Sequence, residues 1–379
     1  MNKFLEREGI PRFVPDDSYV SSFSFEWKRW RRTQFDTVTR TKSQSTFLVS
    51  TGRQPQELAG KLALDAGCGA GRYMDLLSST SAEVVGIDLS LAVEVAQQNL
   101  QHQPNFHFVQ GDVMRPPFLP GTFDFIFSIG VLNFTPDTRA AFSQLVSRLR
   151  PDGEIAIWVY PIHRFCDIFE HFPGRLNEVL RQDVSYQIPT CWQPVVRPFA
   201  GVLDWIIETS SDFERLLTTR LPTRLLYWLC HAAIPLYYLY RVPLFYPLRL
   251  VTRIAMDPDP ESRVLQTFDW YSPRYQWKHR FAELRAWCEE TGLEDIRILP
   301  RAVAIRARKP LAPAAENIGK SSPENGAPGD KRNAREISPL TRRSVKFAQS
   351  SAPSLWDGCA NQKLRPRRRW PWCPLRIKI

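Results

Sequence analysis

The stretch whose reading decides the fold is LALDAGCGAGR, residues 62–72. KLALDA (61–66) is an apolar run ending in a carboxylate, and it reads as a buried strand. Gly67, Gly69 and Gly71 alternate directly after it, and RYMDLLSST (72–80) has a helical pattern. Glycine lets a backbone turn tightly and approach a bulky ligand closely. The N-terminus of the following helix then faces that ligand.

Outward from this loop the pattern repeats. EVVGID (83–88) is a second strand, and its Asp88 lies 21 residues after Gly67. Ser90 reads as the N-cap of LAVEVAQQNLQ (91–101). NFHFVQGD (105–112), FDFIFSIG (123–130) and EIAIWVY (154–160) are three more strands, with a helix over Thr138–Leu149 and a PDG turn at 151–153. Strands alternating with helices imply right-handed crossovers and a parallel sheet. Open sheets of this kind bind ligands at the carboxyl ends of their strands. A carboxylate at Asp88 can accept both ribose hydroxyls of a nucleoside there. Asp112 is placed to receive an exocyclic adenine amine, and SIGVLNF (128–134) passes where a reactive centre would lie. Farther on, Trp277–Thr291 reads as a helix stopped by Gly292. EDIRILP (294–300) and AVAIRARK (302–309) are one residue apart, which suits an antiparallel hairpin.

Composition narrows the function classes. The 379 residues carry a net charge of +11, from 50 Lys/Arg and 39 Asp/Glu. Residues 311–379 hold 14 Lys/Arg and 5 Asp/Glu, leaving 36 against 34 for residues 1–310. The body is nearly neutral, so no nucleic-acid partner is expected for it. Seven cysteines with no C-x-x-C spacing argue against a disulfide framework and a zinc ribbon, and no metal is expected. The N-terminus has no apolar signal core, and a cytoplasmic location is expected. LLYWLCHAAIPLYYLY (225–240) is broken by His231 and Pro235, so it reads as a buried helical hairpin or as a surface for peripheral membrane contact.

The motif set resembles the class I S-adenosylmethionine-dependent methyltransferases over roughly residues 55–162 and 277–309. LDAGCGAGR is similar to their first motif, VVGIDLS to the second, QGDVMRPPF to the third and FDFIFSIGVLNFTPD to the fourth. The resemblance implies an α/β, Rossmann-like, doubly wound sheet of seven strands in the order 3-2-1-4-5-7-6, with the last pair antiparallel. It also implies S-adenosylmethionine as cofactor. Gly67, Cys68, Gly69 and Gly71 would cradle the donor's methionine part, and Asp65 would approach its amino group. Asp88 would hold the ribose and Leu89 would flank the adenine. Asp112 and the Val113 amide would read the adenine edge, while Ser128 and Ile129 would line the donor near the sulfonium. A dehydrogenase would need a third glycine at position 72, where this chain has Arg72. GIPRF (9–13) and FDWYSPRYQW (268–277) further resemble a bacterial subgroup of type 11-like methyltransferases with an IPRF leader and an FDWYSPxY element.

The expected organisation is an N-terminal lid (1–54), a donor-binding core (55–162), a helical, aromatic- and proline-rich insertion covering the acceptor (163–271), the last helix and closing hairpin (272–310), and a disordered basic tail (311–379) that is, with the insertion, the other candidate for peripheral membrane contact. The expected activity is methyl transfer to a small or medium-sized acceptor, at oxygen. The alternatives are a lipid-linked or membrane-associated acceptor, and a non-catalytic S-adenosylmethionine- or nucleoside-binding protein. A hydroxyl acceptor needs a base, and the candidates are His163, Asp269 and Tyr271. Trp27 and its aromatic neighbours either lid the donor or pack the N-terminus onto the core. His279 is expected to be solvated, and Cys68 inert.

Overall fold

Leu62–Ala66 and Phe123–Ile129 are buried at every position, which is what a strand covered on both faces requires. They are the centre of one mixed sheet. The chain is described by a computed structural model over residues 5–14, 21–39, 41–162, 197–242, 245, 248 and 252–311. Its strands are β1 (Leu5–Arg7), β2 (Ile10–Arg12), β3 (Leu62–Ala66), β4 (Glu83–Asp88), β5 (Phe106–Gln110), β6 (Phe123–Ile129), β7 (Leu149–Trp158), β8 (Glu294–Ile298) and β9 (Ala304–Arg308). The sheet order is β1-β2-β5-β4-β3-β6-β7-β9-β8.

This corrects the expected count and order. Among the described residues the sheet has nine strands rather than seven. The run from β5 to β8 follows the expected sequence, with β3 to β7 parallel and β9 antiparallel to both β7 and β8. The two added strands come from the leader. Gly9 takes a left-handed φ of 75°, which folds β1 back onto β2. β2 then lies parallel to β5. Arg12 fixes that docking from a buried position: it donates to Gln110 Oε1 at 2.5 Å and to Glu94 Oε1 at 2.6 Å.

The helices before the insertion are α1 (Ser21–Arg29), α2 (Asp36–Thr39), α3 (Lys42–Thr51), α4 (Arg72–Asp75), α5 (Ala92–Leu100) and α6 (Thr138–Arg148). α7 (Ala200–Thr218), α8 (Thr223–Cys230), α9 (Ala233–Leu239) and α10 (Pro260–Tyr271) follow β7, and α11 (Phe281–Glu290) precedes β8. Side chains alternate across the sheet. Leu62, Leu64 and Ala66 join Phe142 of α6 and Trp287 of α11 in one core, while Ala63, Phe125 and Phe127 join Phe47 of α3 and Val93 and Ala96 of α5 in the other. Each buried phenylalanine contributes about 1.5–3 kcal/mol.

The leader is thus more than a lid: β1 and β2 extend the sheet, α1 covers its end, and α3 packs on β7 and β9. Asp36 caps α3 by accepting from the Ser43 amide at 2.6 Å and the Gln44 amide at 2.9 Å. Ser90 caps differently from expectation: helix α5 starts after Leu91, and the Ser90 hydroxyl accepts from the Ala92 amide at 3.2 Å while donating to Asp88 at 2.7 Å. His163, the first part of the insertion to residue 196, and residues 312–379 lie outside the described residues.

Candidate functional site

The site begins where β3 ends. Gly67 has φ 93°, and a Cβ there would stand 2.3 Å from Val131, so only glycine fits. The Gly67 amide donates to the Ile87 carbonyl at 2.8 Å and the Cys68 amide to the same oxygen at 3.1 Å. The loop is therefore held against the end of β4 by backbone bonds. Asp88 completes the tie. One of its oxygens accepts from the Gly69 amide at 2.9 Å, and the other accepts from the Ser90 amide at 2.8 Å and the Ser90 hydroxyl. Burial raises the Asp88 pKa, and these donors oppose the rise.

The neighbouring strand ends contribute in order. Asp112, past β5, is partly exposed and accepts from the Met114 amide at 2.8 Å. Burial pushes its carboxyl up, against the Met114 amide and Arg115. Val113 is buried beside it. Gln110 donates to the Leu89 carbonyl at 3.1 Å, so the contact from Arg12 continues through Gln110 to Leu89. Ser128 and Ile129 close β6 and are buried, with the Ser128 hydroxyl donating to the Ala66 carbonyl at 2.7 Å. Every expected donor contact, Asp65 through Ile129, thus falls at the carboxyl ends of β3 to β6 or in the loop just beyond.

Cys68 is buried, and burial drives its thiol pKa well above the ordinary value. A thiol held protonated is a poor nucleophile, in line with an inert role. Asp65 is also buried, and its Oδ2 has no hydrogen-bond partner. Burial, reinforced by Asp88, holds its carboxyl well above the usual range.

α1 covers the loop. The Trp27 indole lies 3.2–3.3 Å from the place a Cβ would take on Gly69, and it also packs against the core that holds Val93 and Ala96, so covering the loop and packing on the core are one placement. Next to it sits Glu26, which sequence reasoning missed. Its side chain is 0% exposed, and among the described residues neither carboxyl oxygen has a hydrogen-bond partner. Burial raises its pKa strongly, with Asp269 and then Asp88 adding to the rise.

Asp269 and Tyr271 part company. Asp269, on α10, takes a hydrogen bond from the Tyr160 hydroxyl at 3.4 Å. Burial pushes its carboxyl up to about 7, against Tyr160 and Arg215. Tyr271, two residues on, points elsewhere. Its phenol lies 2.6 Å from Glu214 Oε2 and 2.8 Å from the Arg253 carbonyl, within the apolar cluster of Trp30, Leu226 and Phe268. Burial, with Glu214, raises its pKa steeply, so it stays a neutral packing residue. Arg215 of α7 ties the FDWYSP element down by donating to the Trp270 carbonyl at 2.9 Å and the Pro273 carbonyl at 2.8 Å. His279 is not solvated as expected. One ring nitrogen lies 2.9 Å from Glu283 and the other 3.0 Å from the Thr138 hydroxyl, with the ring edge against Trp287.

Residues 64–157 match the family model described as a methyltransferase domain. This stretch is a class I S-adenosylmethionine-dependent methyltransferase domain. The chain is 35% identical over 102 residues to trans-aconitate 2-methyltransferase of Deinococcus radiodurans, covering 26% of this chain and 38% of that protein. A malonyl-[acyl-carrier protein] O-methyltransferase of Halalkalibacterium halodurans is 29% identical over 188 residues, covering 45% of this chain and 69% of that protein. The chain spans only 29% to 48% of the length of four other matches, the Deinococcus enzyme among them. Among solved structures, the N-methyltransferase NodS of Bradyrhizobium japonicum overlaps 37% of this chain and 72% of its own, at 22% identity and a TM-score of 0.32.

The domain's cofactor, S-adenosylmethionine, suits the residues present. A glycine cradle with no room for side chains, a ribose-type carboxylate at the end of β4 and an unpartnered buried Asp65 oxygen are what a polar, partly cationic nucleoside requires.

Proposed function

We propose that this protein transfers a methyl group to an oxygen atom of a small or medium-sized acceptor. The observation that carries this reading is the donor loop: Gly67 to Gly71 clamped by Asp88 at the carboxyl end of the sheet, within the matched methyltransferase domain. Bound there, S-adenosylmethionine supplies an electrophilic methyl group on a positively charged sulfur. Asp88 would hold the ribose, Leu89 and the Val113 amide the adenine, and Gly67 to Gly71 with Asp65 the methionine part. The chain's own contribution is chiefly orientation, since holding two reactants in line accounts for much of the rate of such a displacement.

Asp269 with Tyr160 is our candidate for taking the acceptor's proton. A carboxyl titrating near 7 exchanges a proton readily at neutral pH. Incubating cell extract with the protein and isotopically labelled donor, followed by mass spectrometry, identifies the product. A labelled ester or ether supports oxygen transfer, whereas a labelled amine overturns it.

One observation favours a lipid-like acceptor as a second reading. α7 and α8 expose Trp205, Phe213 and Trp228 at 64%, 65% and 67%, beside the exposed Leu216, Leu217, Leu225 and Leu229. Arg220 and Arg224 are exposed nearby. Apolar rings rimmed by arginine suit an anionic membrane surface. Among the described residues no helix is long and apolar enough to cross a membrane, so such contact would be peripheral. Flotation with anionic liposomes tests it, and a protein that stays at the bottom of the gradient overturns it.

A further inference from the structure

Glu26 is fully buried, has no hydrogen-bond partner on either oxygen among the described residues, and sits on the helix whose next residue, Trp27, lies over Gly69. Among the described residues, the titratable groups whose fields reach it are the carboxyls of Asp269 and Asp88, and both add to the rise of its pKa. The cations and other titratable groups on the elements around α1 are engaged elsewhere. On α5, Glu94 is paired with Arg12 at 2.6 Å. Arg29 of α1 itself reaches the Tyr227 hydroxyl of α8. On α10, Arg263 donates to the carbonyls of Asp257 and Pro258, and Glu261 is exposed. On α7, Arg215 donates to the Trp270 and Pro273 carbonyls. Asp65, on β3, adds another buried carboxyl beside Asp88.

A buried carboxyl without a counter-charge holds its proton. Among the described residues this arrangement lacks a positive charge, and the glycine loop beside it receives one. We propose that Glu26 is a charge-sensing group of the donor site: it releases its proton when the sulfonium of S-adenosylmethionine binds, and so favours the charged donor over the neutral thioether product. This rests on the donor-site reading above. The proton passes from the Glu26 carboxyl to solvent, and no bond of the ligand changes. Once the methyl group has left, the sulfur is neutral, the carboxyl takes a proton back, and the product is held less tightly. The carboxyls of Asp269 and Asp88 add to the effect, because any negative charge they carry makes an ionised Glu26 unfavourable until the cation arrives.

Calorimetry with the full chain near neutral pH tests this. S-adenosylmethionine and S-adenosylhomocysteine are titrated in buffers of different ionisation enthalpy. The two ligands carry the same amino and carboxylate groups and differ at sulfur, and Glu26→Gln separates the Glu26 proton from any carried by the ligands themselves. The expected result is a buffer-dependent enthalpy for the donor, corresponding to release of about one proton, and little for the product. Glu26→Gln is expected to abolish the buffer dependence and to weaken donor binding by about tenfold, leaving product affinity within about threefold. Retained product binding shows that the variant is folded. Equal buffer dependence for the two ligands in the wild type overturns the proposal, even if Glu26→Gln fails to fold. So does a variant that keeps the wild-type preference for the donor. Failure of the wild type to bind either ligand overturns the donor-site reading itself, and the inference with it.

Discussion

At the end of the sheet, the site is drawn by main chain. The amides of Gly67 and Cys68 share the Ile87 carbonyl, and the Gly111 amide bonds to the Asp88 carbonyl at 2.9 Å. Each loop leaving a strand is stitched to its neighbour before any side chain is considered. The cover is drawn by side chains reaching across long stretches of sequence. Arg215 grips two carbonyls of the FDWYSP element, the Tyr160 hydroxyl meets Asp269, and the Trp277 indole donates to the Thr135 carbonyl at 2.9 Å. A part fixed by backbone can accept little change without losing its shape. A part fixed by a few side chains can be retuned for another acceptor while the donor end stays the same.

The largest effect is expected where backbone geometry is tightest. Gly67→Ala puts a methyl group 2.3 Å from Val131 at a φ of 93°. It should cost about 3 kcal/mol or more of stability and abolish donor binding. Chemical denaturation measures the first, and a loss below about 1 kcal/mol would break the claim that backbone dictates this end. Asp88→Ala comes next. It removes the ribose partner along with the Gly69 and Ser90 bonds, and donor affinity should fall by about 10–100-fold by calorimetry, since hydrogen bonds to a charged group are worth about 1.5–3 kcal/mol. Unchanged affinity would show that the carboxylate does not touch the donor.

In the cover, Arg215→Met should lower stability by about 1–2 kcal/mol, because two carbonyls lose their donors. Turnover should fall with it while donor affinity stays as in the wild type. A variant that loses donor binding would erase the distinction between the two regions. The remaining expected effect is one of slope. The Asp269 carboxyl, raised to about 7 by burial, keeps its proton in the folded chain where the unfolded chain has released it. Stability should therefore decline as pH rises from about 4 to about 7. Asp269→Asn should flatten that part of the curve. A wild-type profile already flat there would mean that Asp269 is ordinary.

The two regions also differ in how far they could be read from sequence. The donor end was legible because its signals are local: an apolar run, alternating glycines and a carboxylate at each strand end. The β1–β2 pair was not. Pro11 and the shortness of IPR hide a strand, which forms through its pairing with β1 and through Arg12 and the Phe13 amide meeting Gln110, far along the chain. Glu26 looks like any charged residue on a surface helix, since neither its neighbours in sequence nor its period mark it as buried. Its burial follows from α1 lying against α5 and α10. FDWYSP stood out as a motif, yet Asp269 and Tyr271 sit two apart on a helix and so face different ways. His279 gave no hint of its two partners, Glu283 and Thr138, one of which comes from another helix.

The leader hairpin also bears on self-association. An open sheet offers unpaired amides and carbonyls at each rim, a template on which other chains can stack. Here β5 would be such a rim, and β2 covers it. The new outer strand, β1, is only three residues long and carries the exposed Glu6 and Arg7. At the opposite rim, β8 exposes Glu294, Asp295 and Arg297, and Asp295 takes a left-handed φ of 49° that breaks the ladder's regularity. Both borders are thus short or charged, so the IPRF segment that braces Gln110 and Leu89 also serves as a guard against sheet-to-sheet aggregation.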